Sequence, residues 1–170
     1  MMIKAIIAGV VFREALIVGT EVQERREIFQ QAREYADSVG KPLLVVGTPK
    51  WYNHPCGDVT IDIRSRRRCN TEIADVRDIP YPDHCFGAAY CSHVLEHLPA
   101  IEDAFTALDE MKRVAGKVFT VSPHKTSLLA NIHPDHHLWI LPSGDGYIIE
   151  QRGTHGVHRK ESYVISMQVV

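Results

Sequence analysis

The chain has 170 residues, 45% hydrophobic and 24% charged, with 11 glycines and 9 prolines. That gives room for one ordinary domain with a core, and it excludes collagen-like, low-complexity and wholly disordered chains. Nineteen basic residues against 21 acidic ones leave a net charge of −2, without the positive field that nucleic-acid binding needs, so no nucleic-acid partner is expected.

The N-terminus opens on an apolar run, Ala5 to Phe12, behind Lys4, and Arg13 and Glu14 separate it from a second run, Ala15 to Gly19. Joining the runs into the ~20 residues of a membrane span would place two charges near mid-bilayer at ~2.5–3.5 kcal/mol each. A peripheral or buried helix is therefore expected instead of a span. Ile3, Ile6, Ile7, Val10, Val11, Ile17 and Val18 share one helical stripe. Residues 1–20 are accordingly the expected site of peripheral membrane contact or self-association. Cys56, Cys69, Cys85 and Cys91 form no CxxC pair and follow no clean secretory signal. Reduced thiols in a cytoplasmic protein, with membrane association left open, are the expectation.

From Glu21 to Gly40 the pattern is helical, with Ile28, Ala32, Tyr35, Ala36 and Val39 on one stripe and Gly40 as C-cap. Residues 1–40 are read as an N-terminal helical segment, residues 41–152 as the main domain and residues 153–170 as a weakly patterned tail, with a last strand possible near its end. Leu43 to Gly47 reads as a strand buried on both faces, residues 48–57 as loop, and Asp58 to Ile63 as a second strand ending on an acidic residue. Thr71 to Ala74 is a short third strand. Asp75 to Phe86 is proline-broken, Gly87 to Cys91 is a fourth strand, Ile101 to Ala115 a helix closed by Gly116, and Lys117 to Val121 a fifth strand. Leu138 to Leu141 and Tyr147 to Glu150 flank a PSGDG turn and form an antiparallel hairpin. Strands alternating with helices or long crossovers give an α/β class with a mostly parallel sheet.

The stretch Ala74 to Pro99 (ADVRDIPYPDHCFGAAYCSHVLEHLP) resembles the middle of class I S-adenosylmethionine-dependent methyltransferases, where an Asp opens a loop ending in an LPFPD-like sequence, followed by a strand and HVLEHL. With its flanks the resemblance extends over roughly residues 42–150. It implies a Rossmann-like fold, S-adenosylmethionine as cofactor and methyl transfer to an acceptor, expected from charge and length to be a small molecule. In such a sheet ligands sit beyond the carboxyl ends of the strands. The resemblance places the cofactor against Gly47, Thr48, Asp62, Ile63, Asp75, Val76 and Ser92, with Asp62 accepting from the ribose and Asp75 and the Val76 amide meeting the adenine. If a base is needed, His93 is best placed and His124 second.

The sequence also departs from that pattern. The family's glycine-rich first turn is reduced to Val45-Val46-Gly47-Thr48-Pro49-Lys50, the usual first helix has no room in residues 48–57, and Gly87 follows Phe86 where the family has Asp. The alternative is a binding or scaffold protein that kept the fold without catalysis.

Two histidine patterns invite metal readings. His93 to His97 (HVLEH) satisfies the H-x-x-E-H pattern of zinc peptidases, but Pro99 cuts the segment short and no zinc is expected there. His133, His136 and His137, with Asp135 close by and His124 upstream, are read as a lid or pocket loop, and no metal site is assigned. The basic run Arg64, Arg66, Arg67 and Arg68 is read as a solvated face.

Overall fold

A computed structural model describes residues 2–48, 55–64, 68–153 and 156–164. Pro49 and Lys50 of the first turn, Arg66 and Arg67 of the basic run, and the last six residues lie outside them.

The two apolar N-terminal runs and the amphipathic stretch after them form one helix, α1 (Met2–Ser38). No proline interrupts it. It ends where the Gly40 N–H donates to the Asp37 carbonyl and the Lys41 N–H to that of Ala36, with Gly40 at φ 65°. This is a Schellman closure, which needs a left-handed residue and so favours glycine. Two halves of α1 have different surroundings. Residues 3–13 are exposed, whereas Ala32 and Ala36 are wholly buried against the sheet. The second half of the helix is thus part of the core.

Five parallel strands follow, β1 (Leu43–Val46), β2 (Val59–Asp62), β3 (Glu72–Ile73), β4 (Phe86–Ser92) and β5 (Ala115–Val121), in the order β3-β2-β1-β4-β5. β1 and β4 are buried at every position, as expected for strands covered on both faces. α1 covers one face, packing on Leu43, Val45, Ala88, Tyr90, Phe119 and Val121. The other face carries α2 (Ile101–Val114), whose Ile101, Ala104, Leu108 and Met111 meet Leu44, Val46, Ala89 and Cys91 in the main core. The chain runs from β1 out to the β3 edge and returns to β4, so the direction of winding reverses between β1 and β4. In open sheets of this kind that point, beyond the strands' carboxyl ends, is where ligands bind.

After β5 come a short helix α3 (Leu128–Ile132) and an antiparallel sheet of β6 (Leu138–Ser143), β7 (Gly146–Gly153) and β8 (Gly156–Val164). The hairpin expected around PSGDG is present and longer than its apolar core suggested. Among the described residues of the tail, Gly156–Val164 form β8, paired along β7, so that part of the tail belongs to this sheet.

One expectation is overturned. Cys56 and Cys69 are joined in a disulfide with Cα atoms 5.2 Å apart, while half-buried Cys85 and buried Cys91 are free thiols. Their sequence spacing matches no motif, because β2 and the turn after it are what bring the two residues together.

Candidate functional site

Gly47 leaves β1 at φ 88°, its N–H donating to the Ile61 carbonyl of β2 at 2.8 Å. A Val94 methyl stands where a side chain at Gly47 would begin. Thr48 turns back onto the end of β2, and its amide and hydroxyl both donate to Asp62 Oδ2 at 2.9 and 2.6 Å. Asp62 Oδ1 accepts the Arg64 N–H at 2.9 Å. Beside it Ile63 is exposed. The Asp62 carbonyl accepts the Ala74 N–H at 3.1 Å, which brings the chain after β3 alongside.

Asp75 is engaged with its own neighbour. The Arg77 guanidinium donates to both carboxylate oxygens and reaches Asp103 at the start of α2 at 2.8 Å. The Arg77 hydrogen bonds hold the Asp75 carboxyl below its usual range. Val76 is buried in the core. The proline-broken loop beyond is fixed from α2: Arg113 donates to the carbonyls of Ile79 and Tyr81 and to Asp83, and Glu110 accepts the Ile79 N–H.

At the end of β4, Ser92 is fully buried and His93 turns the chain at φ 55°. His93 Nδ1 lies 3.4 Å from Glu96 Oε1. Glu96 is 1% exposed, and neither carboxylate oxygen has a hydrogen-bond partner among the described residues. Burial pushes its carboxyl up to about 8, opposed by its backbone N–H and by the charge of Arg25. Arg25 and Glu21 are themselves buried on α1, and the backbone N–H of His124 donates to Glu21 Oε1 at 2.7 Å. Burial raises the Glu21 carboxyl as well. A polar cluster of Glu21, Arg25, His93 and Glu96 is thus enclosed between α1 and the ends of β4 and β5, while the His124 side chain stays exposed.

HVLEH does not form a metal-binding helix. It is a 3₁₀ turn, Leu95–His97, that parts its two histidines. His97 instead meets the other histidine segment: one ring nitrogen from each of His97, His133 and His136 lies within 4.8 Å of the others. Burial and the neighbouring histidines hold the imidazoles of His97 and His136 below their usual range, that of His136 near 4. His137 is outside the group, its N–H donating to the Glu96 carbonyl at 2.7 Å.

Of the residues expected to hold a cofactor, Gly47, Thr48 and Asp62 are brought together and Ser92 lies near Gly47, whereas Asp75 and Val76 face α2 and the core. Sequence reading missed Glu96, Glu21, Arg25 and Arg77. The signal for Glu96 was its place between two histidines on a segment too short to be a helix. That for Glu21 and Arg25 was a charged pair one turn apart in line with the Ala32 and Ala36 stripe.

No curated protein matches the chain. Among solved structures it is similar to the PH0226 protein from Pyrococcus horikoshii OT3, at 14% identity and a TM-score of 0.44, over 85% of this chain and 77% of that one. Residues 58–118, from the start of β2 into β5, match the methyltransferase domain family. That stretch holds Asp62, Asp75, the proline-broken loop and HVLEH, so the similarity to that family falls on the Rossmann-like parallel sheet and the segments beyond its strands.

Proposed function

We propose that the protein transfers a methyl group from S-adenosylmethionine to a small-molecule acceptor, in the crevice beyond β1, β2 and β4. The observation carrying this reading is the convergence of Gly47, Asp62 and the Ser92–His93 corner at the carboxyl ends of neighbouring inner strands of the parallel sheet, in and beside the segment similar to methyltransferases. Asp62 fits a ribose. Thr48 gives its Oδ2 an amide and a hydroxyl, and rotation of that hydroxyl releases an acceptor for a sugar hydroxyl. Exposed Ile63 offers apolar surface to a base. Asp75 is committed to Arg77, which leaves the Val76 amide as the polar contact for adenine.

When bound, the cofactor supplies a methyl group on a positive sulfur. The chain's own part is to hold the acceptor in line with that methyl and to exclude water. His93 is the first candidate base for the proton of the acceptor's nucleophile, and its Nε2, now buried, has to be uncovered for that role. Glu96, 3.4 Å from its Nδ1, is the positioning residue, and its ionised form is favoured once the imidazolium forms. His124, with its backbone tied to Glu21, is the second candidate base.

A second reading has its own support: the Val94 methyl crowding Gly47 and the Asp75–Arg77 pairing favour a binding or scaffold protein without catalysis. Calorimetry with S-adenosylhomocysteine decides between them. Binding by the intact protein that weakens ~10–100-fold in Asp62→Ala, equivalent to about 1.5–3 kcal/mol for a charged acceptor, supports methyl transfer. Absence of heat at millimolar ligand supports the scaffold. The exposed first turns of α1 are the part of the chain we assign to peripheral membrane contact or self-association.

A further inference from the structure

We propose that His97, His133 and His136 form a binding site for a first-row divalent transition-metal ion, independent of the methyl-transfer reading. His97 comes from the turn after β4 and the other two from the loop between α3 and β6, with ring nitrogens within 4.8 Å of one another. Their tautomers can be read from their partners. His97 Nδ1 is 2.9 Å from the Asp135 carbonyl and His136 Nδ1 is 3.1 Å from the Ala130 carbonyl. A carbonyl oxygen only accepts, so both Nδ1 atoms carry the proton and both Nε2 atoms present a lone pair. Metal-bound histidines are held in the same way, the second ring nitrogen donated to a carbonyl that fixes tautomer and ring plane.

His133 differs. Its Nδ1 accepts the Asp135 N–H at 3.3 Å, the longest of the three contacts, and this contact is given up when the ring turns to ligate. The rings of His133 and His136 stack with centroids 4.3 Å apart, and His97 meets both edge-on. A tetrahedral ion with nitrogens at about 2.0–2.1 Å sets them about 3.4 Å apart. Closure therefore asks for an inward shift of about an ångström, the size that ring rotation supplies.

Both segments are held independently of any ion. Arg152 donates to the carbonyls of His136 and Asn131 at 2.8 and 2.6 Å, and its own N–H donates to the His137 carbonyl at 2.8 Å. His137 is in turn bonded to the Glu96 carbonyl. An all-imidazole set favours zinc, cobalt, nickel or copper over magnesium or calcium. His133 is exposed, which leaves water access to a fourth position.

The test is titration of full-length, chelator-stripped protein with Zn(II) by calorimetry and with Co(II) by visible absorption, with circular dichroism on every variant. Expected are one Zn(II) per chain, a Co(II) spectrum of low coordination number, and at least ~10-fold weaker binding in His133→Ala and His136→Ala, since even loss of an outer partner costs 10–100-fold. His84→Ala, at an exposed position outside the group, should bind as the parent does. The exposed position of His133 keeps its variant folded, so the outcome does not depend on His97 or His136 variants surviving. Binding undiminished in His133→Ala, equal loss in His84→Ala, or no binding by the parent overturns the site.

Discussion

Burial of Glu96 ties the stability of the fold to pH. Its carboxyl is raised from 4.5 to about 8 by burial, so between those values the folded chain holds a proton that the unfolded chain releases. Stability therefore falls as pH rises through that window. Glu96→Gln removes the penalty: urea denaturation should show little change at pH 5 and a gain of at least about 1.4 kcal/mol at pH 9, one pKa unit's worth. A variant no more stable than the parent at pH 9 would refute this. Asp58 has the opposite sense. Its Oδ2 accepts the N–H of buried Leu43 at 2.7 Å and pairs with Arg33, and the Leu43 bond holds its carboxyl down. Asp58→Ala leaves that amide unsatisfied and should cost about 1–3 kcal/mol at pH 7, less as pH falls through the carboxyl's lowered folded value, where the parent loses the same interaction. Neither role is visible in the sequence. Asp58 reads there as an ordinary strand-edge acid, and Glu96 as part of a motif whose other members go elsewhere.

Among the elements, α1 explains a departure that the sequence alone leaves unaccounted for. Gly87 stands where the resembling family has Asp, and a Cβ there would lie 2.8 Å from the Ala36 Cα and 2.8 Å from a Val39 methyl. The backbone of α1 thus lies directly on β4. Gly87→Val should cost about 1–3 kcal/mol by overpacking, measured by denaturation, and Gly87→Val combined with Val39→Ala should recover part of it. The parallel strands and α2 were legible because buried strands and an amphipathic helix write their periods plainly. The placement of α1 was not, since nothing in a helix's own pattern states which sheet face it covers. The Cys56–Cys69 bond was illegible for a similar reason. Replacing Cys69 by Ser should lower stability by about 2–4 kcal/mol through the freed loop, and a denaturation midpoint unmoved by either that change or reductant would count against a structural role.

At the scale of the whole molecule, the division lies within α1. Residues 3–13 expose Ile3, Ile6, Ile7, Val10, Val11 and Phe12, a run of bare apolar side chains of the kind found at interaction surfaces. Arg13, which donates to the Thr126 carbonyl at 2.9 Å, and Glu14, which accepts from Ser127, Leu128 and Leu129 at the start of α3, mark where contact with the body begins. Among the described residues no helix is long and apolar enough to cross a membrane. A chain lacking residues 2–12 should keep its denaturation midpoint and lose self-association in sedimentation or partitioning onto lipid vesicles. A large drop in midpoint would instead make those turns part of the fold. The site shows the same division between local and distant information. Asp62 at a strand end could be read from the sequence, while the meeting of His97 with His133 and His136 depends on how β6 returns beneath the turn after β4.

Because α1 has no break between its tip and its buried half, it acts as a stiff spoke with a fixed phase. From Ile3 to Glu21 the axis advances about 27 Å, and each added residue turns the tip by about 100°. A one-residue insertion before Arg13 would therefore leave every contact of the body intact and still swing the apolar side of the tip away from its former bearing. Whatever grips that tip sets the compass direction in which the crevice opens.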